Sequence, residues 1–170
     1  MSLKLIGAVL IIAGCGGVGF SMAAAHRREE NALRQLIGVL DYMGCELQYH
    51  LTPLPELCRS AATESGGVIS QILLRLATEL ESQISPDAAA CMNAAISKTP
   101  RLPSKARKNL TGLGGTLGRF DLQGQLKGLE GARQQCRHDL EELSEDRTMR
   151  LRSYQTLGLC AGAALAILFL

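Results

Sequence analysis

The sequence predicts an all-α protein: a six-helix cytoplasmic bundle whose first and last helices extend into N- and C-terminal transmembrane segments. Three observations predict it. Of 18 basic and 16 acidic side chains in 170 residues, all but Lys4 lie between residues 26 and 152. Within that stretch apolar residues recur at helical spacing, and no segment alternates with period two in β-branched residues. Proline, glycine and cap residues then cut the pattern into pieces of helix length. The implied organisation is an N-terminal transmembrane segment at 1–25, a helical bundle at 26–152 and a C-terminal membrane segment at 153–170. The overall 20% charge and mean hydropathy of +0.10 are averages over these unlike parts.

Leu5 to Ala25 carries no charge. As a helix it would be roughly 31 Å long, against a hydrocarbon core of about 30 Å. Lys4 followed by an apolar run and Ala23-Ala24-Ala25 also fits a cleaved export signal. Ile12-Ala13-Gly14-Cys15 has the form of a lipoprotein box. Either would give an exported or lipid-anchored helical binding protein, starting at Cys15 or after Ala25. Charge placement favours a retained anchor, because one lysine precedes the run while Arg27, Arg28 and Arg34 follow it. The C-terminal run is likewise preceded by Arg147, Arg150 and Arg152. Arginine on the domain side of both runs places the domain in the cytoplasm.

Leu33, Leu36, Ile37, Leu40, Met43 and Leu47 continue the first helix to about Leu51. Thr52-Pro53 reads as an N-cap with proline in the first turn, opening a second helix on Leu54, Leu57, Cys58 and Ala61 that stops at Gly66-Gly67. Val68, Ile69, Ile72, Leu73, Leu76 and Leu80 mark a third. Ser85-Pro86-Asp87 repeats the capping device before an Ala-rich fourth helix ending near Ser97, and Thr99 to Pro103 is a loop. A fifth helix runs from about Ser104 into Gly112, Gly114, Gly115 and Gly118. Asp121 caps the sixth, with Phe120 as a hydrophobic staple; Leu126, Leu129, Cys136, Leu140 and Leu143 carry it toward Leu170. Gly124, Gly128 and Gly131 weaken this last helix by propensity alone. Gly158, Gly162 and Ala166 form a small-residue face suited to helix packing in lipid, within one chain or between copies.

Chemistry is sparse. The near-neutral balance of residues 26–152, 17 basic against 16 acidic side chains, argues against a nucleic-acid binder, which needs a concentrated basic footprint. Cys45, Cys58 and Cys91 sit among apolar or small residues and are expected to fill the core as free thiols, disulfide pairing being the weaker reading. Cys136, His138 and Asp139 are poorly spaced for a metal, since helix positions i and i+2 face different sides. His26 reads as an interfacial residue and His50 as a helix-end residue facing terminal carbonyls. The glycines at 112, 114, 115 and 118 match no phosphate-binding loop and fit close helix packing instead. Lys98, Arg101, Lys105, Arg107 and Lys108 form a basic cluster, read as a solvated face or a docking surface for an acidic partner or lipid headgroups. No catalytic, metal-binding or cofactor-binding residue is assigned, so the expectation is a protein that is not an enzyme.

Two segments carry a family resemblance. Glu46-Leu47-Gln48-Tyr49-His50-Leu51-Thr52-Pro53-Leu54-Pro55-Glu56-Leu57 resembles the E-x-x-Y-x-x-T-P-L-x-E segment of stage III sporulation protein AB. Leu113 to Asp121, followed by Gln125, resembles that family's L-G-x-x-L-G-x-x-D-x-x-x-Q segment. The resemblance implies a membrane component of the channel-like complex between mother cell and forespore, located in the mother-cell (inner) membrane. It implies a helical domain similar to those of type II secretion and type IV pilus platform proteins. The partners it implies are other sporulation channel components and a secretion-type cytoplasmic ATPase, stage III sporulation protein AA. It supplies no catalytic residue. Tyr49, Thr52, Pro53, Leu54, Gly114, Gly118, Asp121 and Gln125 match its motifs and are expected to cap and pack. Glu46, Glu56 and the Lys98–Lys108 cluster are the candidate partner surface.

Overall fold

A computed structural model describes the backbone of residues 2–50, 52–82, 87–118 and 121–169, and the side chains of 24–50, 52–82, 87–118 and 121–145. Among the described residues the chain forms six helices and no strand: α1 (Ser2–Tyr49), α2 (Leu54–Glu64), α3 (Gly67–Ser82), α4 (Ala88–Ser97), α5 (Ser104–Gly114) and α6 (Leu122–Phe169). The expected all-α, six-helix architecture is thus present. Among the described residues no helix is long and apolar enough to cross a membrane. The spans assigned to 1–25 and 153–170, and the face of Gly158, Gly162 and Ala166, rest on side chains outside the described residues. So do Ser85, Pro86 and Phe120.

Helix α1 organises the bundle. Leu33, Leu36, Leu40, Met43 and Leu47 are all buried, and this stripe meets α2, α3, α5 and α6. The core is completed by Leu57 of α2, Ile72 and Leu76 of α3, Met92 of α4, Leu110 of α5, Leu117 of the α5–α6 turn, and Leu129 and Cys136 of α6. Each fully buried Leu or Ile contributes about 1.5–3 kcal/mol relative to exposure. Three polar ties fix the direction of packing. Glu29 of α1 accepts from the start of α5, Lys105 of α5 meets Glu142 of α6, and Asp41 of α1 meets Arg133 of α6. Moving from Glu29 to Asp41 along α1 means moving back from Glu142 to Arg133 along α6, so the two long helices are antiparallel. The bundle therefore has a proximal end, at Glu29, Ser104 and Glu142, adjoining the apolar runs. Its distal end holds Tyr49 and Leu122.

Several boundaries differ from expectation by a residue or two. The N-cap of α2 is Pro53 (φ −56°, ψ 143°) rather than Thr52, and it makes no side-chain capping bond. Asp87 caps α4, accepting from the Ala89 N–H at 3.4 Å. Asp121 caps α6 as anticipated, accepting from the Gly124 N–H at 3.0 Å. Cys58, Cys91 and Cys136 are buried free thiols, whereas Cys45 is exposed: it lies off the apolar stripe of α1 defined by Met43 and Leu47.

Candidate functional site

The basic cluster is divided by the fold. Lys98 pairs with Glu79 of α3, while Arg75 reaches the Lys98 carbonyl and the Thr99 hydroxyl, fixing the α4–α5 loop to α3. Glu79 and Lys98 line a shallow hollow of about 260 Å³ with Leu74, Arg75 and Thr78, and satisfy one another across it. Lys105 Nζ lies 2.5 Å from Glu142 Oε2 and 3.4 Å from the Asp139 carbonyl. The Lys105 hydrogen bond holds the Glu142 carboxyl below the usual carboxylate range. Two of the five cations therefore brace the bundle. Arg101 and Lys108 are exposed and Arg107 is half-buried, and none of the three has an ion-pair partner among the described residues.

The acidic candidates also separate. Glu46 is occupied: its Oε1 accepts from the Thr52 hydroxyl at 3.0 Å, and its Oε2 lies 3.4 Å from His50 Nδ1. Thr52 is thus a clasp on the α1–α2 turn instead of a helix cap. His50 faces this carboxylate instead of terminal carbonyls. Glu56 is exposed in the first turn of α2, where its charge favours the positive end of the helix.

Motif residues from the two segments come together at the distal end. Gly118 adopts φ +72°, a conformation that favours glycine, and a Cβ added there would lie 3.8 Å from Leu54 Cδ2 and from Ala88 Cβ. Leu54 is half-buried against the core. At Gly114 an added Cβ would stand 2.8 Å from Met92 Cβ, so α4 and α5 touch through the missing side chain. Gly128 does the same for α6, where an added Cβ would meet Thr116 Cβ at 2.8 Å. Its helical penalty is the cost of close approach. Pro53, Gly118 and Asp121 are exposed at the turns, and Tyr49 is the large side chain exposed among the motif residues: 73% of its surface is open, and Leu122, also at the distal end, is 37% exposed.

Sequence-level reasoning missed the polar ties between helices. Asp139, only 5% exposed, accepts from Asn109 Nδ2 at 2.7 Å and from Gln135 Nε2 at 3.0 Å. Its signal was legible, since position 139 falls on the stripe of Cys136 and Leu143. Arg133 links α6 to Asp41 at 2.5 Å and to Glu130 of its own helix at 2.6 Å. Burial pushes the Cys58 and Cys136 thiols up to about 12, which leaves both protonated and unreactive at neutral pH.

The family model of stage III sporulation protein AB matches residues 4–170. The chain belongs to this family. It is 25% identical over 171 residues to stage III sporulation protein AB of Bacillus subtilis (strain 168), covering 99% of both chains. A solved structure of a stage III sporulation protein AB superposes with a TM-score of 0.63 at 21% identity, covering 72% of this chain and 98% of that one. That likeness shows the shared fold. Within the family fold, the two motif segments form one distal corner: Glu46 and Thr52 clasp the turn, Leu54 and Gly118 pack across it, and Tyr49 projects from it.

Proposed function

We propose that this chain is a non-enzymatic membrane platform in a sporulation transenvelope channel complex, coupling a secretion-type cytoplasmic ATPase to that complex. Residues 1–25 and 153–170 anchor it in the mother-cell membrane, and 26–152 face the cytoplasm. Family membership and the arginine flanks of both apolar runs support this reading. The observation that carries the partner surface is Tyr49, a large aromatic exposed at the end of the bundle farthest from the apolar runs. Aromatic side chains held on a rigid helix end make strong contact anchors. Glu56, exposed in the first turn of α2, adds a charge just past the α1–α2 turn.

The test is capture of stage III sporulation protein AA by the full chain in detergent. Tyr49→Ala with Glu56→Lys is expected to weaken binding at least about tenfold, a loss of roughly 1.4 kcal/mol. The Lys105→Glu variant is expected to lose bundle stability through its Glu142 contact and to leave distal binding intact. Unchanged affinity in the Tyr49/Glu56 variant would remove the proposed surface.

A further inference from the structure

Arg27, Arg28 and Arg101, exposed and without an ion pair among the described residues, lie beside the membrane-facing end of the bundle. Glu29 stands four residues past Ala25, about 6 Å along the α1 axis. Its Oε1 accepts from the Ser104 hydroxyl at 2.8 Å and from the Lys105 N–H at 2.7 Å, which caps α5 and fixes the α4–α5 loop at this level. The polar layer of a bilayer adds about 5–7 Å outside the hydrocarbon on each side. With Leu5–Ala25 spanning the membrane, the level of Glu29 is therefore the outer edge of the headgroups.

The loop at that level is held ready. Leu102 is 5% exposed and anchors it in the core, while Arg75 ties the preceding residues, Lys98 and Thr99, to α3. Pro100 and Pro103 stiffen the backbone between these anchors. Arg101 projects from this loop into solvent, and Lys108 is exposed one turn into α5, about 6 Å farther from the bilayer than Ser104, a gap its long side chain can span. Arg27 and Arg28 are exposed on α1 two and one residues before Glu29. The carboxylates at the same level are largely spent inside the protein: Glu29 on α5, Glu30 on Arg34 at 2.6 Å, and Glu142 on Lys105 at 2.5 Å. Glu141 and Glu145 of α6 are exposed. The α1 and loop side of this end is therefore positive, and a preorganised positive surface against a bilayer selects anionic headgroups.

We propose that the α4–α5 loop and the start of α5 form a lipid-facing surface, with Arg101 and Lys108 joining Arg27 and Arg28 to bind the phosphates of anionic phospholipids. The surface fixes the tilt of the bundle on its anchors, leaving the distal corner presented away from the membrane. The proposal rests on the reading of 1–25 as a membrane anchor.

The chain contains no tryptophan, so one introduced residue reports alone. Energy transfer from a Pro100→Trp variant to a dansyl headgroup probe is measured for the full chain in nanodiscs. One set contains about a third phosphatidylglycerol, and the other is wholly phosphatidylcholine. Transfer is expected to be about twofold higher in the anionic discs, to fall to the neutral level with Arg101→Gln and Lys108→Gln, and to fall likewise at high salt. A Gln48→Trp variant at the distal end is expected to show little transfer in either lipid. Equal transfer from position 100 in both lipids, with the chain co-eluting with the discs, would overturn the lipid surface and leave the anchor reading standing. A chain that does not co-elute with the discs would overturn both.

Discussion

Asp139 sits on an apolar stripe, and its neighbours explain how a carboxylate is tolerated there. Asn109 and Gln135 each donate to it, and Lys105 donates to its backbone carbonyl. Asp139→Ala is expected to lower unfolding stability by about 1–3 kcal/mol, because buried Asn109 loses its partner. A paired Asn109→Leu, Asp139→Leu variant should recover much of that loss, since neither polar group then remains buried alone. Denaturant unfolding of the full chain in detergent measures both. The thiols make a second prediction at this scale. Cys58 and Cys136 are held near 12 against an ordinary value of 9.0, so the folded state disfavours their ionisation. Their contribution is complete below pH 9 and declines as pH rises from 9 toward 12, because the unfolded thiols ionise there while the folded ones stay protonated. In a variant with Cys58→Ala and Cys136→Ala the unfolding midpoint should start lower and fall less steeply across this range.

At the scale of elements, helix contacts depend on residues with nothing to contribute but their small size. Gly114→Ala would press a methyl against Met92 and is expected to destabilise the α4–α5 contact by about 1–3 kcal/mol, read as a lower unfolding temperature. Gly112→Ala has open space around its Cβ and should be neutral or slightly stabilising by comparison. Helix identity was legible because periodicity, caps and prolines act within one turn of chain: Asp121 and the stripe from Leu33 to Leu47 behave as read. Thr52 was misread because a Ser/Thr-Pro pair looks the same whether the hydroxyl caps the next helix or reaches back to Glu46. The pairing of Glu29 with Ser104 and Lys105 joins residues far apart in the chain, and nothing local announces it. For the same reason the Lys98–Lys108 cluster read as one surface, although the fold assigns Lys98 and Lys105 to internal pairs and leaves Arg101 and Lys108 outside.

At the scale of the whole molecule, antiparallel α1 and α6 give the bundle two unlike ends. The proximal end adjoins both apolar runs and carries exposed Arg27, Arg28 and Arg101; the distal end carries the family-motif corner with Tyr49. The proposed platform role needs this polarity, one end toward the membrane and one toward a soluble partner. The central claim is that the bundle is tethered at its proximal end and lies in the cytoplasm. Cys45 is a native probe of that arrangement, being the exposed thiol among Cys45, Cys58, Cys91 and Cys136. With Cys15 and Cys160 replaced by Ser, a membrane-impermeant maleimide should leave Cys45 unlabelled in intact cells and label it once the membrane is permeabilised. Labelling of Cys45 in intact cells would place the bundle outside and contradict the account.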